Sequence, residues 1–98
     1  MEIVKMLEGA TLTLSLEGRL DTVTAPSLQA ELENALDDVK TLVLDFAKLD
    51  YVSSAGLRII LAAQKKMNSQ GNMIIRNVNE TIMEVFDITG FASILTVE

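Results

Sequence analysis

The stretch Leu49-Asp50-Tyr51-Val52-Ser53-Ser54-Ala55-Gly56-Leu57-Arg58 decides how the chain reads, because an apolar run ends there, two hydroxyls follow and a helical pattern begins. On its amino-terminal side, Leu42-Val43-Leu44-Asp45-Phe46 is a nearly continuous apolar run of strand length, the pattern of a strand covered on both faces. On its carboxyl side, Leu57, Ile60, Leu61, Gln64 and Met67 recur at helical spacing. Between the two, Ser53 or Ser54 serves as N-cap, its oxygen accepting a backbone N–H that the first helical turn leaves without a partner. A polar loop is therefore expected from Ala47 to Ser53, at the end of a buried strand, with the positive end of a helix behind it. Two uses of that loop compete. Ser53 and Ser54 are caps and Gly56 a packing requirement, or a hydroxyl at the helix N-terminus carries or binds a phosphate, whose charge the aligned N–H groups stabilise.

Working outward, residues Glu2 to Leu7 form a short strand and Glu8-Gly9-Ala10 a turn. Leu12, Leu14 and Leu16 then alternate with Thr11, Thr13, Ser15 and Glu17, the period of a strand with one buried face, so the two pair as a hairpin that Gly18 ends. Thr24 before Ala25-Pro26 marks a helix start, with Thr24 as cap and proline in the first turn where its missing N–H costs nothing. Leu28, Leu32, Ala35, Leu36 and Val39 mark its inner face; Glu31, Glu33, Asp37 and Asp38 mark a solvated one, the two aspartates falling at the negative helix end. The central helix, Ala55 to Ser69, ends on Lys65, Lys66 and Gly71 and is apolar nearly all round in its first half except at Arg58, four residues after Ser54. Met73 to Val78 is a further strand. Asn79 caps a helix through Ile88, with Ile82, Met83, Val85 and Phe86 inward; Gly90 stops it, and Ile94 to Val97 is a last strand.

Strands after residue 40 alternate with helices, which favours parallel pairing, whereas the amino-terminal hairpin is antiparallel. The expected architecture is a single α/β domain over residues 1–98, a mixed sheet of four or five strands with helices packed against it. Its 98 residues suffice to bury a core without staples.

Composition removes whole classes of function. There is no cysteine and no histidine, so a disulfide framework, a thiolate metal site and a Ser-His-Asp hydrolase are all excluded. Asp21 and Asp45 invite a paired-carboxylate reading, but no third acid, histidine or activated nucleophile accompanies them; Asp45 is otherwise a hydrogen-bond acceptor or part of a cleft lining. An enzyme is not expected, nor a cofactor or metal. A formal charge of −6 argues against nucleic acid and against an anionic membrane surface, and points to a partner with a basic patch. No apolar run approaches the roughly 18 residues of a membrane span, and Met1-Glu2-Ile3-Val4-Lys5 lacks the features of a secretion signal, so a cytoplasmic location is expected.

The segment Ser53-Ser54-Ala55-Gly56-Leu57 resembles the phosphorylation loop of STAS domains, specifically the bacterial anti-sigma factor antagonists, whose usual form is Asp-Ser-Ser/Thr-Gly-Leu before an apolar helix. Gly18-Arg19-Leu20-Asp21 opening onto Thr24-Ala25, and Phe86-Asp87-Ile88-Thr89-Gly90-Phe91 closing the last helix, agree with that family in order and spacing. The resemblance puts the phosphorylated serine at Ser54, with Ser53 as the fallback. This chain departs from the pattern at two positions: Ser53 replaces the aspartate and Ala55 the second hydroxyl. It implies a partner surface at Asp21, Thr24, Ser53, Ser54, Ala55, Gly56 and Arg58. By the same resemblance the unphosphorylated form binds an anti-sigma factor that is also a serine kinase and so frees a sigma factor, and a PP2C-type phosphatase reverses the mark. A constitutive assembly module of a signalling or transport complex, and a small-ligand or nucleotide-binding domain around Asp21, Thr24 and the two serines, are the alternatives; the latter lacks a glycine-rich phosphate loop, since Gly56 stands alone.

Overall fold

A computed structural model describes residues 1–98. The hairpin forms as its alternation requires: β1 (Glu2–Glu8) and β2 (Thr11–Leu20) pair antiparallel, with Ile3 opposite Leu16 and Leu7 opposite Leu12. Leu12, Leu14 and Leu16 are buried, and the threonines and serine between them only partly. Gly18 does not end β2 as expected. Its φ of +106° bends the strand, which continues to Leu20.

Helix α1 (Ala25–Ala35) has Pro26 in its first turn and buries Ala25, Leu28 and Leu32. It is shorter than the apolar spacing suggests. Leu36 and Val39 are buried from the turn that follows, where Asp38 takes a left-handed conformation (φ +63°) of the kind aspartate tolerates, so Asp37 and Asp38 shape the exit from the helix instead of extending it.

The sheet order is β1-β2-β3-β4, with β3 (Thr41–Val52) parallel to both β2 and β4 (Asn72–Arg76). The sequence pattern ends this strand at Phe46 and expects a loop from Ala47 to Ser53, yet all of that loop but Ser53 is strand. Two bulges explain the discrepancy. Between the Ser15/Asp45 and Glu17/Lys48 pairs, and again between Gly18/Leu49 and Arg19/Tyr51, β3 contains one more residue than β2. Each extra residue lengthens the spacing of inward side chains from two to three, so burial runs Leu42, Leu44, Phe46 and then Leu49, Val52. A strand with that spacing no longer shows the period that identifies strands.

Helix α2 (Ser54–Asn68) buries Leu57, Ile60, Ala63, Gln64 and Met67. The glycine after it, Gly71, is not a left-handed terminator. It is required because a Cβ there would overlap the Lys40 carbonyl, which accepts the Asn72 N–H at 2.9 Å. Helix α3 (Glu80–Thr89) starts on Asn79, whose side chain accepts the Ile82 N–H at 2.8 Å, and stops at Gly90 with φ +80°. Both ends are as the sequence indicates.

Ile94 to Val97 does not form the expected strand. After a short 3₁₀ turn (Phe91–Ser93), the Ile94 and Leu95 N–H groups are satisfied by the Phe91 carbonyl, leaving a single parallel bridge between Ile75 and Val97. The sheet therefore has four strands.

Buried residues from all three helices and from one face of the sheet form one cluster of 23. No helix packs on the other face, where Val4 and Met6 are exposed, Thr13, Ser15, Asp45 and Ile74 are partly so, and Val43, between Thr13 and Ile74, is buried outside the cluster, so β3 is not covered on both faces along its length as its apolar run suggests. Because β2 and β3 are parallel and each leads directly into a helix, their carboxyl ends and the N-termini of α1 and α2 gather at one end of the molecule.

Candidate functional site

That end is built from two short connections, one after β2 and one after β3, tied together by the backbone. The Ser53 N–H donates to the Leu20 carbonyl at 2.8 Å, so the start of α2 is stitched to the end of β2. Gly56 then lies against the same residue: a Cβ at this position would stand 2.7 Å from Leu20 Cγ and 3.1 Å from the Leu20 carbonyl oxygen. The glycine is a requirement of close approach, and that approach fixes where α2 begins.

The two serines have different roles. Ser53 is the N-cap, extended (φ −90°, ψ 175°) and half-buried, with Oγ accepting the Gly56 N–H at 3.3 Å. Ser54 is the first residue of the helix and is exposed. Ala55 is half-buried and packs on the core, while Arg58, one turn below Ser54 on the same face, is exposed.

The loop after β2 is tied by Asp21 and Thr24. Asp21 Oδ1 accepts the N–H groups of Val23 (3.0 Å) and Thr24 (3.1 Å). The Thr24 hydroxyl donates to the Arg19 carbonyl (2.7 Å) and accepts the Asp21 N–H (2.9 Å). Thr24 occupies the N-cap position expected from the sequence, but it makes no side-chain cap hydrogen bond: its backbone is helical and its hydroxyl bonds back into the loop. The Thr24 N–H bond first, joined by the Val23 N–H, the Thr24 hydroxyl and nearby Arg19, holds the Asp21 carboxyl below its ordinary range, outweighing the opposing effect of desolvation. Asp21 is thus an anion at neutral pH.

Asp45 belongs elsewhere. It lies on the sheet face that no helix covers, accepting from Asn77 Nδ2 and the Ala47 N–H, each at 3.0 Å. The hydrogen bond from Asn77, then that from Ala47, lowers its pKa. Asp21 and Asp45 each serve their own local network and form no catalytic pair.

Two residues at this end went unnoticed as functional candidates in the sequence. The Arg19 guanidinium stacks over the Tyr51 ring, 4.3 Å from its centroid, and stands 3.7 Å from Asp21 Oδ2. Arg19 and Tyr51 face each other only because of the second bulge in β3, which no single-strand pattern reveals. A cleft of about 300 Å³ between α1 and α2, walled by Leu32, Leu36 and Ile59, extends along α2 away from Ser54, and another of about 230 Å³ lies beside Ser15, Asp45 and Lys48; neither includes the serine loop.

A helix-backed mixed sheet that presents an exposed serine at a capped helix N-terminus, beside an ionised aspartate in a hydrogen-bonded loop, defines a small α/β module whose accessible chemistry is a surface and not an enclosed catalytic pocket. The chain belongs to the STAS domain family, whose model matches residues 3–98. It is 39% identical over 84 residues to the "Putative anti-sigma factor antagonist BtrV" of Bordetella bronchiseptica, spanning 84% of this chain and 72% of that one. It is 26% identical to the anti-sigma-B factor antagonist of Bacillus subtilis over 86% of this chain and 78% of the relative. The unphosphorylated form of the anti-sigma factor antagonist SpoIIAA superposes with a TM-score of 0.79 at 22% identity, over 99% of this chain and 87% of that one. SpoIIAA of Bacillus in its phosphorylated form superposes with a TM-score of 0.77, also at 22% identity, over 99% and 91%. These superpositions establish the fold. The relatives are named for antagonism of a regulator, not for a reaction.

Proposed function

We propose that residues 1–98 act as one binding domain, an anti-sigma factor antagonist switched by phosphorylation at Ser54. The observation that carries this reading is the division of labour between the serines: Ser53 holds the helix start, and Ser54 offers an exposed hydroxyl at the N-terminus of a 15-residue helix. Asp21, Thr24, Ser53, Ser54, Ala55, Gly56 and Arg58 are the partner surface, with Asp21 presenting fixed negative charge to a basic group. The unmodified domain binds an anti-sigma factor serine kinase and frees the sigma factor. The kinase transfers the γ-phosphoryl of ATP to Ser54 Oγ, and a PP2C-type phosphatase removes it by hydrolysis. Regulation of a sigma factor places this cycle in the cytoplasm.

The physical basis of the switch is an interface effect. Phosphate adds about −1.5 to −2 charge at pH 7. At the start of α2 the helix dipole and Arg58 offset its repulsion within the domain, so the fold tolerates it. Across a docked interface the same charge meets the partner's acidic groups or bound nucleotide phosphates, and the complex dissociates.

The test is incubation with the cognate anti-sigma factor and ATP, followed by site mapping and titration of binding. One phosphate on Ser54, absent in Ser54→Ala, is expected, with Ser54→Asp weakening binding at least tenfold, about 1.4 kcal/mol. Phosphate on Ser53 moves the switch by one residue. Stable binding with no phosphate at all favours the second reading, a constitutive assembly module, which the replacement of the family's aspartate by Ser53 and of its second hydroxyl by Ala55 supports.

A further inference from the structure

Of the four aromatic side chains, Phe46 and Phe86 are fully buried and Phe91 is half-buried; Tyr51 alone is exposed, at 38%. It stands three residues before Ser54, beneath Arg19, whose side chain is 61% exposed. Three features make the pair more than an incidental surface contact. The β3 bulge at Asp50 is what brings Tyr51 opposite Arg19, and bulges commonly re-aim side chains beside functional sites. The Thr24 hydroxyl fixes the Arg19 backbone through the 2.7 Å bond to its carbonyl, so the guanidinium is carried by a braced strand end. Stacking on the ring also leaves the edge of the guanidinium fork free, apart from the long 3.7 Å approach of Asp21. Tyrosine and arginine are the residue types that most often dominate binding energy at interfaces, above all when already held in one conformation.

We propose that the Arg19–Tyr51 pair is the anchor of the docking surface at this end of the molecule, fitting a partner that brings a carboxylate to the guanidinium edge and an apolar wall to the tyrosine ring. The proposal rests on the reading above that an anti-sigma factor docks at the Ser54 end. It adds a second kind of recognition there. Asp21 meets a basic group, Arg19 an acidic one, and the alternation of sign fixes the register of the complex, while Tyr51 supplies buried area.

The chain has one tyrosine and no tryptophan, so Tyr51 can be followed in the unaltered protein. Nitration of Tyr51 by tetranitromethane, with and without the purified cognate anti-sigma factor, should slow at least tenfold in the complex; an unchanged rate overturns the proposal. Titration of the same partner with Tyr51→Ala and Arg19→Ala should raise Kd at least tenfold each, whereas Tyr51→Phe, which keeps the ring, stays within threefold. Both alanine variants within threefold of the unaltered chain would sink the anchor. Ser54→Asp in the same series separates this idea from the switch. If Ser54→Asp weakens binding and the alanines do not, the anchor fails alone. If the alanines weaken binding and Ser54→Asp does not, the anchor stands and the phosphorylation reading falls.

Discussion

Ser53→Ala and Ser54→Ala alter adjacent hydroxyls and should have different consequences for stability. Ser53 Oγ accepts the Gly56 N–H at 3.3 Å, beyond the usual 2.7–3.2 Å, which places the loss toward the lower part of the roughly 0.5–2 kcal/mol range for N-caps. Gly56 is buried against Leu20, however, so water recovers little of the orphaned N–H and the expected cost returns to about 1 kcal/mol. For a domain of this size that corresponds to a fall in Tm of about 4–8 °C. Ser54 is exposed at the first helical position, and its replacement by alanine, a better helix former, should leave Tm within about 2 °C. Ser54→Asp should raise stability by about 0.3–1 kcal/mol at low salt, since the first turn of α2 contains no acidic residue to meet the helix dipole. Thermal unfolding by circular dichroism at pH 7, with urea titrations to confirm an unchanged m-value, measures all three. Equal losses for Ser53→Ala and Ser54→Ala would refute the division of labour between the serines. A loss of more than about 1 kcal/mol for Ser54→Asp would show that charge at this position disturbs the fold itself.

Gly71→Ala should destabilise the domain by about 1–3 kcal/mol in urea unfolding, because its Cβ is driven into the Lys40 carbonyl, a backbone group that cannot rotate away; a gain in stability from the lost glycine flexibility would contradict that contact. Asp45 should titrate below the ordinary aspartate value of 3.8, since the Asn77 amide and the Ala47 N–H favour its anion. For a lowered carboxylate the stabilisation is complete above the unfolded-state pKa and disappears as pH falls through the lower folded-state value. Asp45→Asn should therefore flatten the acid limb of urea midpoints measured from pH 6 to pH 2, and an unchanged slope there would show that Asp45 does not contribute to it.

What could be read directly from the sequence was whatever a single segment encodes in its own spacing. The alternation of Leu12, Leu14 and Leu16 marked β2, the apolar run to Phe46 marked the first half of β3, and Asn79 and Gly90 bracketed α3, because period, cap and left-handed glycine are local properties of the chain. The serine pair before a long apolar helix likewise marked the start of α2. Tertiary structure decided the rest. Ala47–Val52 is strand only in register with β2, where the bulges shift inward spacing to three, and Arg19 meets Tyr51 only through that pairing. Gly71 looked like a helix terminator and is instead a clearance for the Lys40 carbonyl, while Ile94–Val97 lost its strand to hydrogen bonds made with Phe91. Above all, either serine satisfied the sequence rule for a cap. The bond from Ser53 N–H to the Leu20 carbonyl and the tight seat of Gly56 on Leu20 set where α2 begins, and so turn one hydroxyl inward and leave the other in solvent.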